Sequence, residues 1–284
     1  MAFWYFGYGS NMNLASLAAK GVNPIASSRA ALYGWRLRFN VAHFFTHEGG
    51  VGNIEPTSST TDVVWGVLHY CNKSDLSLLD SAEAYGYGYD RTSVTVNSDG
   101  RLVEAVTYIG LESFLNDTCQ PSQRYLKILI DGAFESKLPN HYIEALRETP
   151  ILQPIPRDRY SPPPGPHLHF TADMLSRHPN CTALAGHVFD MSGARSHHDF
   201  LKQYFAGRDM TIYHLKRMHG TDGNATINSW NEGQLTPEQE CYINDYLHAY
   251  HQEYRYCGTI ETVHQVGGDH DAKASVMTAP SAPL

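Results

Sequence analysis

Along the first half of the chain, apolar and polar positions alternate in short runs that end on glycine, asparagine or serine. Phe3 to Tyr8 is an aromatic run of strand type. GYGSNMN then turns the chain into LASLAAKG, where Asn13 predicts an N-cap and Gly21 a C-terminal stop. The result is strand, tight glycine turn, helix. Further strands are predicted over 32–40, 63–70, 92–96 and 102–109, and helices over 74–83, 122–134 and 139–148, with Ser74 as the cap of the first of these helices. The strands alternate enough for a curved, mostly antiparallel sheet or barrel, so the fold class is α+β rather than a doubly wound sheet.

The pattern breaks at ETPILQPIPRDRYSPPPGP, whose seven prolines suit neither a helix nor a central strand. A linker over 150–166 is expected there, between a first domain at 1–149 and a second at 167–262. From Val263 onward periodicity and most large apolar residues disappear, which predicts a flexible tail over 263–284. In the second domain LAGHVFDMS reads as strand-like, followed by a glycine turn and short amphipathic helices. A longer helix is predicted in LTPEQECYINDYLHAYHQEYRY, with Thr236 as N-cap, Pro237 at the first helical position and Gln239 completing a capping box. Tyr242, Tyr246, Tyr250 and Tyr254 recur every four residues on one face, as expected of a packing stripe with hydroxyls at its edge.

Composition narrows the function class. The chain has 284 residues, 42% of them hydrophobic, and a formal charge of -8. That length and apolar content suffice for two ordinary cores. The negative balance, without a basic stripe, argues against nucleic acid or an anionic membrane as partner. No run of about 18 apolar residues offers a membrane span, and the start of the chain lacks the ordered regions of a signal peptide. A cytoplasmic protein acting on small molecules is expected. Five scattered cysteines fit reduced thiols better than a disulfide framework and offer no zinc spacing, while the 16 histidines are spread along the chain.

Two features carry candidate chemistry. In NKSDLSLLDSAE, Leu76, Leu79 and Glu83 share one helix face, which aims a carboxylate where leucines are buried. Burial disfavours the charged form and brings a carboxyl towards the range useful for proton transfer. The same spacing also lets Glu83, near the helix end, turn to solvent or pair with Arg91. The second feature is Gly7-Tyr8-Gly9-Ser10-Asn11, where glycines can present successive backbone N–H groups in a concave turn suited to a carboxylate or developing oxyanion, or simply form a tight turn.

Taken together, residues 3–148 resemble the γ-glutamyl cyclotransferase family. Its opening loop pattern stands as Tyr8-Gly9-Ser10-Asn11, and VWGVLHYCNKSDLSLLDSAE is similar to its strand and helix ending in the acid/base glutamate, here Glu83. PSQRYLKILIDGAFESKLPNHYIEAL resembles its paired helices, with Tyr125 at the substrate-site tyrosine and Gly132 and Leu138-Pro139 in register. The sequence departs from the family at Ala84, where glycine is usual, and AYGYGYDR, which supplies Tyr89, is one residue short of a common form. The resemblance implies a β-barrel with flanking helices, Glu83 as catalytic residue, and Tyr8, Gly9, Ser10, Asn11, Tyr89 and Tyr125 as substrate-binding residues. It also implies release of 5-oxoproline and an amine from a γ-glutamyl substrate, without a cofactor.

HFTADMLSRHPN, ALAGHVFDMSG, Phe205-Ala206-Gly207-Arg208-Asp209, LTPEQ and EYRYCGTI are similar to the cytochrome b5-like haem/steroid-binding fold, closest to the membrane-associated progesterone receptor branch. That resemblance implies a small α+β domain and a haem b site. The branch's ligating tyrosine position is Lys202 here, so the candidate haem ligands are Tyr204, His219, Tyr254 and His198. The expectation is a cyclotransferase fused to a haem-binding domain acting on the same small-molecule pathway, with a homodimer as its assembly. The alternative is a haem- or ligand-binding sensor whose first domain is a non-catalytic scaffold.

Overall fold

Because side chains alternate across a strand, β1 (Ala2–Gly7) sends Trp4 and Phe6 into one core and Tyr5 to the opposite face. It lies antiparallel to β5 (Val63–Asn72), with Phe6 opposite Leu68 and Tyr5 opposite His69. β5 pairs in turn with β2 (Ala26–Tyr33), β2 with β6 (Tyr89–Ser98), and β6 with β7 (Arg101–Gly110), which returns parallel to β1 and closes a five-stranded barrel. Phe6, Leu32, Val64, Leu68, Val94 and Val96 fill its interior. Each such side chain contributes about 1.5–3 kcal/mol on burial. β3 (Trp35–Ala42) and β4 (Gly50–Pro56) form a separate two-stranded ribbon.

In the computed structural model, residues 2–218 and 235–261 are described, and the chain divides into a first unit over 2–155 and a second over 156–218 and 235–261. Asn13 caps α1 (Leu14–Ala19), its Oδ1 accepting from the Ser16 N–H at 3.1 Å. α3 (Gln123–Glu135) starts at Ser122, and α4 (Asn140–Arg147) follows. Gly132 is required where α3 crosses the turn before α1, because a Cβ there would lie 2.6 Å from the Asn13 nitrogen.

Three local expectations change. The strand expected over 32–40 is broken at Gly34, whose φ of +75° separates β2 from β3. β4 was not expected at all. Ser74 makes no cap bond at α2 (Asp75–Ala82); the Asp75 carboxylate instead accepts from the Asn72 N–H at 2.9 Å.

The second unit holds a four-stranded sheet in the order β8-β11-β10-β9: β8 (Leu168–Phe170), β9 (Cys181–Leu184), β10 (His187–Asp190) and β11 (Arg255–Ile260). The run expected as one strand folds back at Ala185 and Gly186, both at positive φ, into the β9–β10 hairpin. Helices α5 (Ala172–Ser176), α6 (Asp199–Phe205), α7 (Thr211–Arg217) and α8 (Pro237–Glu253) complete it. α8 begins with the capping box of Thr236 and Gln239, and Tyr246, Tyr250 and Tyr254 are buried along its face. Residues 150–163 form no helix or strand. The tail from Val263 lies outside the described residues.

Candidate active site

The turn after β1 and the C-terminal end of α2 meet at a cavity lined by Tyr5, Tyr8, Gly9, Ser10, Asn11, Gly52, Glu83, Tyr89, Tyr108 and Tyr125. Glu83 caps α2 and is only 6% exposed. Its Oε1 accepts from the Asn11 amide at 2.7 Å and lies 3.8 Å from the Lys20 ammonium. Lys20 also donates to Asn11 Oδ1 at 2.5 Å and to Ser10 Oγ at 3.3 Å. The Asn11 amide therefore has a fixed orientation: its oxygen faces the ammonium and its nitrogen faces the carboxylate and the Tyr5 hydroxyl, the latter at 2.6 Å.

The loop is also tied to the barrel. Asn11's carbonyl accepts from His69 Nε2 at 2.9 Å, which puts the proton on that nitrogen and leaves Nδ1 to accept from the Ser27 hydroxyl at 2.8 Å. Burial lowers the His69 pKa to about 4, against a smaller opposing pull from the Asn11 carbonyl, so the imidazole is neutral near pH 7. Gly9 sits against Tyr125, where a Cβ would come 3.1 Å from the hydroxyl.

The tyrosines are held by backbone atoms. Tyr8 donates to the Tyr108 carbonyl at 2.6 Å and Tyr89 to the Gly52 carbonyl at 2.7 Å, while the Gly52 N–H donates to the Tyr125 hydroxyl at 2.9 Å. Burial first, and nearby charge second, raises the pKa of Tyr8 well above the ordinary phenol value, and burial does the same for Tyr89 and Tyr125. They act as neutral hydrogen-bonding groups. Burial likewise raises the carboxyl pKa of Glu83, opposed by the Lys20 charge and the Asn11 bond. The arrangement sets a buried carboxyl beside a glycine turn and three tyrosine hydroxyls, a setting suited to proton exchange.

All seven residues expected in the first domain line this cavity: Glu83, Tyr8, Gly9, Ser10, Asn11, Tyr89 and Tyr125. Arg91 does not pair with Glu83; its guanidinium lies 3.3 Å from Asp80 and over the Tyr85 ring. Tyr5, Tyr108, Gly52 and Lys20 were not singled out from sequence. The aromatic run of β1 was the one signal for Tyr5, and Gly52 comes from the unexpected strand β4.

The haem candidates are placed differently. His198 is fully buried, its Nδ1 2.7 Å from the Tyr254 hydroxyl, and its ring packs edge-on against that phenol. An imidazole and a phenol bonded to one another do not fit a haem iron as they stand. Tyr204 packs on Phe200 within α6, and His219 lies outside the described residues. Among the described residues no cluster of three or more His, Cys, Asp or Glu is arranged to hold a metal ion.

A barrel with a buried carboxyl beside a glycine turn is a setting suited to proton transfer, and comparison with known proteins gives its class. The AIG2-like family profile matches residues 63–146. The γ-glutamylcyclotransferase of Bos taurus is 33% identical over 150 residues, 51% of this chain and 77% of that protein. The γ-glutamyl cyclotransferase gliK of Claviceps purpurea (strain 20.1) is 30% identical over 140 residues, 47% of this chain and 63% of its own. A solved γ-glutamyl cyclotransferase structure is 26% identical, covers 55% of this chain and 93% of its own, and superimposes with a TM-score of 0.49. The chain belongs to the γ-glutamylcyclotransferase family and is an enzyme.

Proposed function

We propose that the first unit cyclises the γ-glutamyl group of a small substrate, releasing 5-oxoproline and an amine. The observation that supports this most is Glu83, buried at the end of α2 yet lining the cavity, with Oε1 held by Asn11. In the reaction the substrate's α-amine nitrogen bonds to its own γ-carbonyl carbon, and the bond from that carbon to the leaving nitrogen breaks. Glu83 takes a proton from the attacking ammonium and returns it to the leaving amine. Burial raises its pKa, against the Lys20 charge and the Asn11 bond, and so makes the carboxylate a stronger base than an exposed one.

The N–H groups of Gly9 and Ser10, with the Tyr125 hydroxyl, hold substrate oxygen as charge develops on it. Lys20 and Asn11 keep the carboxyl aimed, and confinement folds the flexible glutamyl chain towards attack. In the second unit Tyr254 and His198, two of the candidate haem ligands, are bonded to one another. A Soret band after haem reconstitution of the full chain would restore a haem role. A reducing cytoplasmic setting is supported by the free cysteines of the described residues. The test of the main reading is Glu83→Gln in the full chain: 5-oxoproline release falls by about 10²–10⁴-fold while the circular dichroism is unchanged. Equal turnover in the variant overturns the assignment.

A further inference from the structure

Beyond the polar chamber the structure holds a second hollow with a different character. Glu83 and Tyr89 line both. The rest of its lining is largely apolar: Val41, Phe44, Val51, Ala84 and Phe114, together with the His43 ring, all of them buried. Phe44 and Phe114 meet edge to face at 5.5 Å between ring centres. β4 is part of the partition. Consecutive strand residues face opposite ways, and Gly52 lines the polar chamber while Val51 lines the apolar one. The Tyr89 hydroxyl bonded to the Gly52 carbonyl joins this partition to β6.

A cyclotransferase has to hold two unlike pieces of its substrate, and this molecule has two unlike hollows meeting at one carboxyl. The glutamyl part carries an amine and a carboxylate, which require the N–H and O–H groups of the polar chamber. An ionised side chain pushed into the second hollow would lose its hydration against apolar walls. We propose that the second hollow is the leaving-group subsite, and that the substrates of this enzyme are γ-glutamyl derivatives of amines bearing an apolar, preferably aromatic, side chain. The inference rests on the cyclotransferase reading and deepens it. Glu83 stands where the proton taken from the attacking nitrogen on the polar side can be handed to the departing nitrogen on the apolar side. The bond that breaks is the γ-carbon to nitrogen bond, and the proton balance closes without any further reactant.

The test compares 5-oxoproline release by the full chain from γ-glutamylphenylalanine, γ-glutamylalanine and γ-glutamylglutamate, which share an α-carboxylate and differ only in side chain. The expected order of kcat/KM is phenylalanine, alanine, glutamate, with at least about tenfold between the first two. Phe114→Ala, and the milder Phe114→Leu should the first fail to fold, reduce the phenylalanine-to-alanine ratio. Val51→Phe fills the hollow and reduces it further. Turnover with the three substrates equal, or the glutamate compound best, overturns the subsite and leaves the cyclotransferase reading standing. No 5-oxoproline from any of the three overturns that reading, and the subsite with it.

Discussion

Both units bury tyrosines, but the hydroxyls find different partners. In the first unit Tyr8, Tyr89 and Tyr125 bond to backbone groups of Tyr108 and Gly52, whose positions are set by strands, while Tyr5 and Tyr108 bond to the short side chains of Asn11 and Asp80. In the second, hydroxyls meet imidazoles: Tyr250 with His214 at 2.9 Å, Tyr254 with His198 at 2.7 Å, Tyr160 with His251 at 2.8 Å. A phenol anchored on backbone leaves side-chain space around it, and a cavity with a carboxyl persists there. A phenol anchored on an imidazole fills that space with a second ring. Tyrosine content alone therefore says little about a site; the partner of the hydroxyl says more.

The largest effect that would sharpen this contrast is at Glu83. Its folded-state pKa is raised, so its contribution to stability is present below the unfolded value and is lost as pH rises through the folded one. Glu83→Gln therefore combines lost turnover with a urea midpoint that equals the parent's in acid and exceeds it at pH 8. Next comes the support beneath Tyr125. Burial alone would lift the Glu48 carboxyl, but the Arg124 guanidinium, 2.7 Å away, together with His43 and His47, holds it well below the usual range. Arg124→Ala leaves a buried carboxylate without this partner and costs about 3 kcal/mol by urea unfolding. The parent's gain from the pair is present above the ordinary carboxylate pKa and disappears as pH falls through the lowered one.

Tyr250→Phe tests the second unit. Removing the hydroxyl that meets His214 is expected to cost about 1–2 kcal/mol in thermal or urea unfolding, with 5-oxoproline release unchanged. A loss of turnover in that variant would break the contrast. The smallest effect is at Ala84, whose φ of +49° is the left-handed conformation that glycine adopts at little cost. Ala84→Gly is expected to stabilise the protein by at most about 1 kcal/mol in a melting experiment, since glycine's greater chain entropy when unfolded offsets part of the relief.

The local parts of the site were readable in the sequence. Tyr8 to Asn11 and Glu83 lie at the ends of a strand and a helix whose patterns are plain, and Ala84 was noted as departing from a usual glycine before its positive φ explained why glycine suits that position. Tyr5 and Gly52 reach the cavity through strand register and ribbon pairing, which join residues far apart in sequence. β4, reading GVGNIEP, has too many glycines and too few branched residues to announce itself as a strand. In the second unit, the Tyr246–Tyr250–Tyr254 stripe was legible as packing, whereas the closure of His198 on Tyr254 was not, because it pairs positions 56 residues apart.

The imidazole of His69 gives the site an acid limit separate from its proton-transfer group. With its pKa lowered to about 4, it is stabilising in its neutral form above the unfolded histidine value, and that stabilisation is lost as pH falls through about 4. Once charged, it can no longer accept the Ser27 proton at Nδ1, so the barrel wall loses its fixed grip on the Asn11 carbonyl. On the acid side, then, protonating Glu83 would remove the base reversibly, while protonating His69 would loosen the loop that receives the substrate.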